Sequence, residues 1–186
     1  MSARFDLAAT PLAGLICLRR TRMGDERGWL ERLFCADELK AAGWLWPVAQ
    51  MNRTLTAKKG TVRGMHFQHP PHEEAKLVSC LKGEVFDVAV DLRPASSTFG
   101  QWHGVCLSND NASSLLIPPG FAHGFQALTD DVEMLYVHSA PYTAGAEGGV
   151  RADDPAIGID WPLDITARSA RDKAHPLLER NERGKR

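Results

Sequence analysis

Lys76-Leu77-Val78-Ser79-Cys80-Leu81-Lys82-Gly83-Glu84-Val85-Phe86-Asp87-Val88-Ala89-Val90-Asp91-Leu92 decides the fold class. Phe86, Val88, Val90 and Leu92 fall on one side of an extended chain and Asp87, Ala89 and Asp91 on the other, which is the period of a β-strand. Leu77, Ser79 and Leu81 alternate in the same way with Val78 and Cys80. Only Gly83-Glu84 separates the two runs, and that spacing predicts a hairpin. Working outward, further strands are predicted at 15–19, 29–35, from 62 onward, and at 102–107, 114–117, 124–128 and 133–138. Residues 24–28 read as a turn and 54–60 as a polar, lysine-bearing loop. Residues 36–43 predict the one clear helix, short and closed by Gly43. The tail 164–186 is charged and partly helical, with a loose end at 181–186. Many short strands joined by Gly/Pro turns argue for a mostly β sandwich or barrel of the jelly-roll type.

The whole chain narrows the function classes. Its 186 residues suit one domain, with a core at roughly 10–176 and a loose tail at 177–186. The net charge of −1 gives no global field toward nucleic acid or a membrane, so any anion must be bound by a local cluster. No run reaches the roughly 18 apolar residues of a membrane span, and the N-terminus has no basic region followed by an apolar stretch. Cytoplasmic location is the expectation. Cys17, Cys35, Cys80 and Cys106 are widely spaced and read as reduced, mostly buried thiols.

The candidate chemistry centres on Arg63-Gly64-Met65-His66-Phe67-Gln68, on Ile117-Pro118-Pro119-Gly120-Phe121-Ala122-His123-Gly124-Phe125, and on Ser169-Ala170-Arg171-Asp172. In a jelly roll, inward-facing polar residues such as His66, Asp87 and Tyr136 converge in one cavity. Arg63 lies three residues from His66 and would face away from it in a regular strand. Gly64 marks a bulge that lets both side chains reach the cavity. A lone strand histidine is ordinarily structural, but the neighbouring arginine and the second histidine favour a base, since imidazole titrates near neutral pH. Tyr136 reads either as core or as a proton donor. Arg63, Lys76 and Arg27 read as solvated charges or as an anion site, because guanidinium forks suit phosphate and lysine suits a developing oxyanion. A metal reading rests on His66, His69, His72, Glu73, Glu74 and His123. Strand geometry puts His66 and His69 on opposite faces, and Pro70-Pro71 breaks the run, so no metal and no cofactor is expected. No dinucleotide fingerprint or P-loop occurs.

These segments, with 24–28, 83–93, 99–102 and 153–162, run in order over about 150 residues. Together they resemble the dTDP-4-dehydrorhamnose 3,5-epimerase family, metal-independent cupins of sugar-nucleotide metabolism. The resemblance implies a cupin-type jelly-roll β-barrel with a few short peripheral helices. It implies an epimerase inverting C3 and/or C5 of a nucleotide-linked 4-keto-6-deoxy sugar, with a homodimer as the working unit and no nucleic-acid or membrane partner. By the same resemblance His66 is the base, Asp172 its paired carboxylate, Tyr136 the opposite-face acid and Lys76 the group near the C4 oxygen. Arg27, Glu31, Gln50, Asn52, Arg63, His123, Tyr142 and Arg171 are then substrate-binding residues. Pro141 stands where the family often carries an aromatic residue, and Ala152 where a tryptophan is common. The alternatives are a metal-dependent cupin enzyme and a catalytically idle sugar-nucleotide-binding cupin.

Overall fold

In the computed structural model, which describes residues 4–178, both halves of the 76–92 run are strands, but they do not pair with one another. The strands in chain order are β1 (Phe5–Ala9), β2 (Ile16–Arg20), β3 (Arg22–Asp25), β4 (Gly28–Glu31), β5 (Gln50–Thr56), β6 (Val62–Gln68), β7 (Lys76–Lys82), β8 (Glu84–Asp91), β9 (Trp102–Ser108), β10 (Ser113–Ile117), β11 (Phe121–Ala127), β12 (Val132–His138) and β13 (Glu147–Gly149). Two short helices, α1 (Ala36–Leu39) and α2 (Ala170–Ala174), lie outside the sheets. A six-stranded sheet has the order β1-β2-β10-β7-β12-β5 and a five-stranded sheet the order β13-β6-β11-β8-β9. The ribbon β3-β4 belongs to neither.

The predicted hairpin at Gly83-Glu84 is therefore a corner between sheets. β7 pairs with β10 and β12, whereas β8 pairs with β11 and β9. Gly83 turns the chain at φ 74°, and a Cβ there would lie 2.4 Å from Thr129 Oγ1. A second correction concerns closure. The two sheets face each other without hydrogen-bonding into a closed barrel, leaving β5 and β9 among the edges.

Burial explains why the strands read as nearly continuous apolar runs. Val78, Leu115 and Met134 from the six-stranded sheet meet Val85, Ala89 and Phe125 from the other in the central core. The outer faces are covered as well. Leu39 and Trp44 close over Leu18, Leu77 and Val137, and Val150, Ile157 and Trp161 close over Met65, Val88 and Val90.

Local expectations fared unevenly. The 24–28 turn is the β3-β4 hairpin. The strand predicted at 29–35 stops at Glu31, and part of the predicted 54–60 loop is strand, because Thr54 to Thr56 continue β5 against β12. The helix is one turn of α1 followed by a 3-10 turn at Lys40–Ala42, closed by Gly43 at φ 96°, whose N–H donates to Lys40 O at 3.0 Å. In the tail, α2 is helical and Leu178 packs on the outer cluster, while 181–186 lie outside the described residues. Cys80 is buried, and its thiol is pushed up to about 11 by burial; contrary to expectation the other cysteines are not buried, Cys17 and Cys35 being half-buried and Cys106 exposed.

Asp91 closes β8. Its fully buried carboxylate accepts from Arg93 N, Nε and Nη2, Ser96 Oγ and Thr98 Oγ1 at 2.6–3.0 Å. Burial alone would raise its pKa, but these donors outweigh it and bring it to about 2. An aspartate depressed below its unfolded value of about 3.9 stabilises the fold above that pH and loses the contribution as pH falls. Urea titrations at a series of pH values are expected to show wild type losing about 2 kcal/mol relative to Asp91→Asn between pH 5 and pH 2. A difference that stays flat over that window would remove the ionised Asp91 from the stability of this corner.

Candidate active site

Between the sheets opens a cavity of about 580 Å³, within the usual range for small-molecule sites. One wall comes from the five-stranded sheet. On β6 and β11, His66 opposes His123 and Arg63 opposes Phe125. One residue of β11 thus faces two of β6, which is the bulge expected at Gly64. Gly64 sits at φ 129°, and a Cβ there would lie 2.5 Å from Gly124 Cα, so glycine is required. The extra residue restores the phase, and both Arg63 and His66 line the cavity. Arg63 is held by Nε to Thr56 Oγ1 at 2.9 Å and Nη2 to Leu55 O at 3.1 Å.

The C-terminal segment completes this wall. It runs beside β6 through Val62 N to Ala167 O and Thr166 N to Gly60 O, each 3.0 Å. Ser169 then caps α2, its Oγ accepting from Asp172 N at 3.0 Å. The cap swings Asp172 Oδ1 to 2.7 Å from His66 Nε2. The carboxylate is hidden, at 4% side-chain exposure, and the imidazole is presented to the cavity at 27%. Burial would raise the Asp172 pKa, but the hydrogen bond and charge of His66, helped by Ser169 and the Gly64 backbone, leave it below the ordinary value. Asp172 is thus an anion that orients the ring and supports a positive charge on it.

The facing wall comes from the six-stranded sheet. Lys76 (β7), Tyr136 and His138 (β12), and Gln50 and Asn52 (β5) all line the cavity. Lys76 Nζ bonds Glu74 Oε1 at 3.1 Å and His66 O at 3.3 Å, so it ties the two walls together. Glu74 also takes His138 Nδ1 at 3.0 Å, and His138 Nε2 lies 3.4 Å from Asn52 Nδ2. Burial would raise Glu74, but His138 and Lys76 outweigh it and keep it ionised. Tyr136 packs edge-on to His123 and stacks on His138, with ring centroids 6.0 Å apart in both cases. Burial pushes its phenol up, so it holds its proton at neutral pH. Behind the cavity His123 Nε2 meets the fully buried Asp87 at 2.9 Å, and burial raises that carboxyl.

At the rim, Tyr142 OH donates to Glu147 Oε2 at 3.0 Å, Arg171 Nη1 reaches Glu147 at 2.7 Å, and Gln50 accepts from Tyr142 N at 2.9 Å. Ten of the candidate residues therefore line one cavity: His66, Tyr136, Asp172, Lys76, Gln50, Asn52, Arg63, His123, Tyr142 and Arg171. Arg27 and Glu31 do not. Arg27 is exposed at the β3-β4 hairpin, paired with Asp25, and Glu31 is bound by Arg20 and Arg22. Sequence reasoning missed His138, which the same alternation that placed Tyr136 would have found two residues on. It also missed His175, which lies beside the His66–Asp172 pair with ring centroids 5.6 Å apart from His66. Of the histidines and acids in the metal reading, His66, Glu74 and His123 line the cavity, whereas His69, His72 and Glu73 do not.

A two-sheet jelly roll carrying a histidine–carboxylate pair on one cavity wall and a half-buried tyrosine on the other is laid out for proton-transfer chemistry, as in an isomerase of the cupin class. Residues 9–180 match the family model described as dTDP-4-dehydrorhamnose 3,5-epimerase. Curated relatives of that name include one from Salmonella typhimurium, 42% identical over 91% of this chain and 93% of the relative, and one from Sinorhizobium fredii, 41% identical over 90% and 86%. Among solved structures, the Legionella pneumophila dTDP-6-deoxy-D-glucose-3,5-epimerase in complex with dTDP-4-keto-L-rhamnose superposes with a TM-score of 0.88, at 38% identity over 93% of this chain and 92% of that one. A 3'-monoepimerase from Streptomyces bikiniensis, in complex with dTDP-quinovose, gives 0.83 at 31% identity over 90% and 85%. The chain belongs to the dTDP-4-dehydrorhamnose 3,5-epimerase family.

Proposed function

We propose that this enzyme epimerises a dTDP-linked 4-keto-6-deoxy sugar by proton transfer through an enolate. The observation that carries the reading is the opposition of His66–Asp172 on one sheet and Tyr136 on the other across one cavity. Inversion needs a base on one face of a carbon and an acid on the other, and a two-sheet cavity supplies both. The protons on C3 and C5 are acidic because each carbon neighbours the C4 ketone. His66 takes the proton, with Asp172 stabilising the imidazolium. Lys76 stabilises the enolate oxygen electrostatically. Tyr136, kept protonated by burial, returns a proton to the opposite face. Arg63 and the Gln50–Tyr142–Glu147–Arg171 rim hold the nucleotide diphosphate outside the reacting ring.

The test is incubation with dTDP-4-keto-6-deoxyglucose in deuterium oxide, read by NMR and mass spectrometry of the sugar. Deuterium at C3 and C5 with inversion at both establishes the double epimerase, and label with inversion at one carbon marks a single-centre enzyme like the Streptomyces bikiniensis relative. Absence of label overturns the reading.

The working unit is a homodimer, and the enzyme acts in the cytoplasm. The β3-β4 ribbon leaves both sheets with Met23, Trp29 and Leu30 exposed, and β5 is a sheet edge with Met51 and Leu55 exposed. Apolar surface on a ribbon and along an open edge favours pairing with a second copy, and the ribbon carries Arg27 to the partner's diphosphate. Four unpaired cysteines fit a reducing compartment. Light scattering at micromolar concentration is expected to give the dimer mass; a monomer mass would refute the assembly.

A further inference from the structure

We propose that His66, Asp172 and His175 form a three-ligand site for a zinc-class divalent ion that ties up the His66 imidazole and switches the enzyme off. The switch rests on His66 being the base; the binding site does not. One ligand atom from each of the three residues lies within 4.8 Å of the others. His66 Nε2 is 2.7 Å and His175 Nε2 4.0 Å from Asp172 Oδ1. Tetrahedral ligands of zinc, at about 2.0–2.2 Å from the ion, stand about 3.4 Å apart. Ring adjustments on the order of 1 Å therefore close the set.

Two further observations point to a ligand here. His175 Nε2 is buried and has no hydrogen-bond partner, an unusual state for an imidazole nitrogen. The space for its ring comes from Gly149, where a Cβ would lie 2.5 Å from that same nitrogen. Gly149 is itself paired with His66 across β13 and β6, so strand pairing and the missing side chain together hold the second imidazole beside the first. Two imidazoles and one carboxylate select zinc and its neighbours over magnesium or calcium. Three protein ligands leave a fourth position for a water or other small ligand, as in open zinc sites. An ion on Nε2 displaces the proton that this nitrogen donates to Asp172 and leaves the neutral ring as the Nδ1–H tautomer, so Nδ1 has no lone pair with which to take a proton from the sugar.

The experiment is calorimetric titration of zinc into full-length, chelator-treated enzyme, paired with the deuterium assay at each zinc occupancy. Wild type is expected to take one ion per chain, with exchange falling in proportion to occupancy and returning after chelation. His175→Asn is expected to lose more affinity than the roughly 10–100-fold that removal of an outer-shell partner costs, with inhibition scored against each protein's own metal-free rate. His175→Gln serves if the asparagine variant does not fold. No zinc uptake by wild type, equal affinity in the variants, or bound zinc with undiminished exchange each overturns the proposal. Failure of metal-free enzyme to exchange the sugar would sink the epimerase reading, and the calorimetric contrast between wild type and variant would still decide the site.

Discussion

His66→Ala is expected to lower deuterium incorporation into the keto sugar by roughly 10²–10⁴-fold, the usual contribution of a positioned general base. The cavity has a second histidine on the same wall, His123, but that ring is engaged with a fully buried aspartate behind the cavity. His66 is the imidazole whose hydrogen-bonded carboxylate, Asp172, is held ionised and which stays open to the cavity. Nucleotide binding should survive, because Arg63, Tyr142 and Arg171 are anchored by bonds that do not involve His66. Stability is a separate readout. Removing the imidazole takes one partner from a buried carboxylate that keeps Ser169 and the Gly64 backbone, at a cost of about 1–3 kcal/mol, so the assay belongs well below the melting transition. Turnover near the wild-type rate would take His66 out of the mechanism.

The alternation in 76–92 identified both strands and the faces they present, because strand period is a local property. It did not identify the partners. A two-residue break between apolar strands fits a hairpin and a sheet-to-sheet corner equally well. The choice was made by β10 and β12 claiming β7 while β9 and β11 claimed β8. The bulge at Gly64 was legible because Arg63 and His66 are out of phase in any regular strand. Lys76 and Tyr136 were legible as chemistry, and the family resemblance gave them roles. His175 was not legible: its place depends on the C-terminal segment running beside β6 and on the gap left by Gly149, a pair joined only in three dimensions. Arg27 was read from its motif alone. A motif names a residue type and not the cavity it serves, and within this chain its hairpin stands clear of the cavity.

Tyr136→Phe is expected to separate the two half-reactions. With the phenol as the proposed acid on the wall opposite His66, its loss should lower inversion by roughly 10²–10⁴-fold while His66 still removes and returns protons on its own face. Deuterium exchange with retention then continues, and the ratio of exchange to inversion rises by at least about tenfold. The substitution is mild for the fold. The ring keeps its edge contact with His123 and its stack on His138, and no charge is removed, since burial holds the phenol in its protonated form. The same burial predicts that inversion by wild type is not limited by phenol ionisation as pH rises toward the normal tyrosine range of about 10. The discriminating quantity is the ratio, measured by NMR of recovered substrate and product from one deuterium oxide incubation. If exchange and inversion fall together, Tyr136 acts before the proton leaves rather than after. The opposite-face donor must then be sought elsewhere on the six-stranded wall, where His138, hydrogen-bonded to Glu74, is the next candidate.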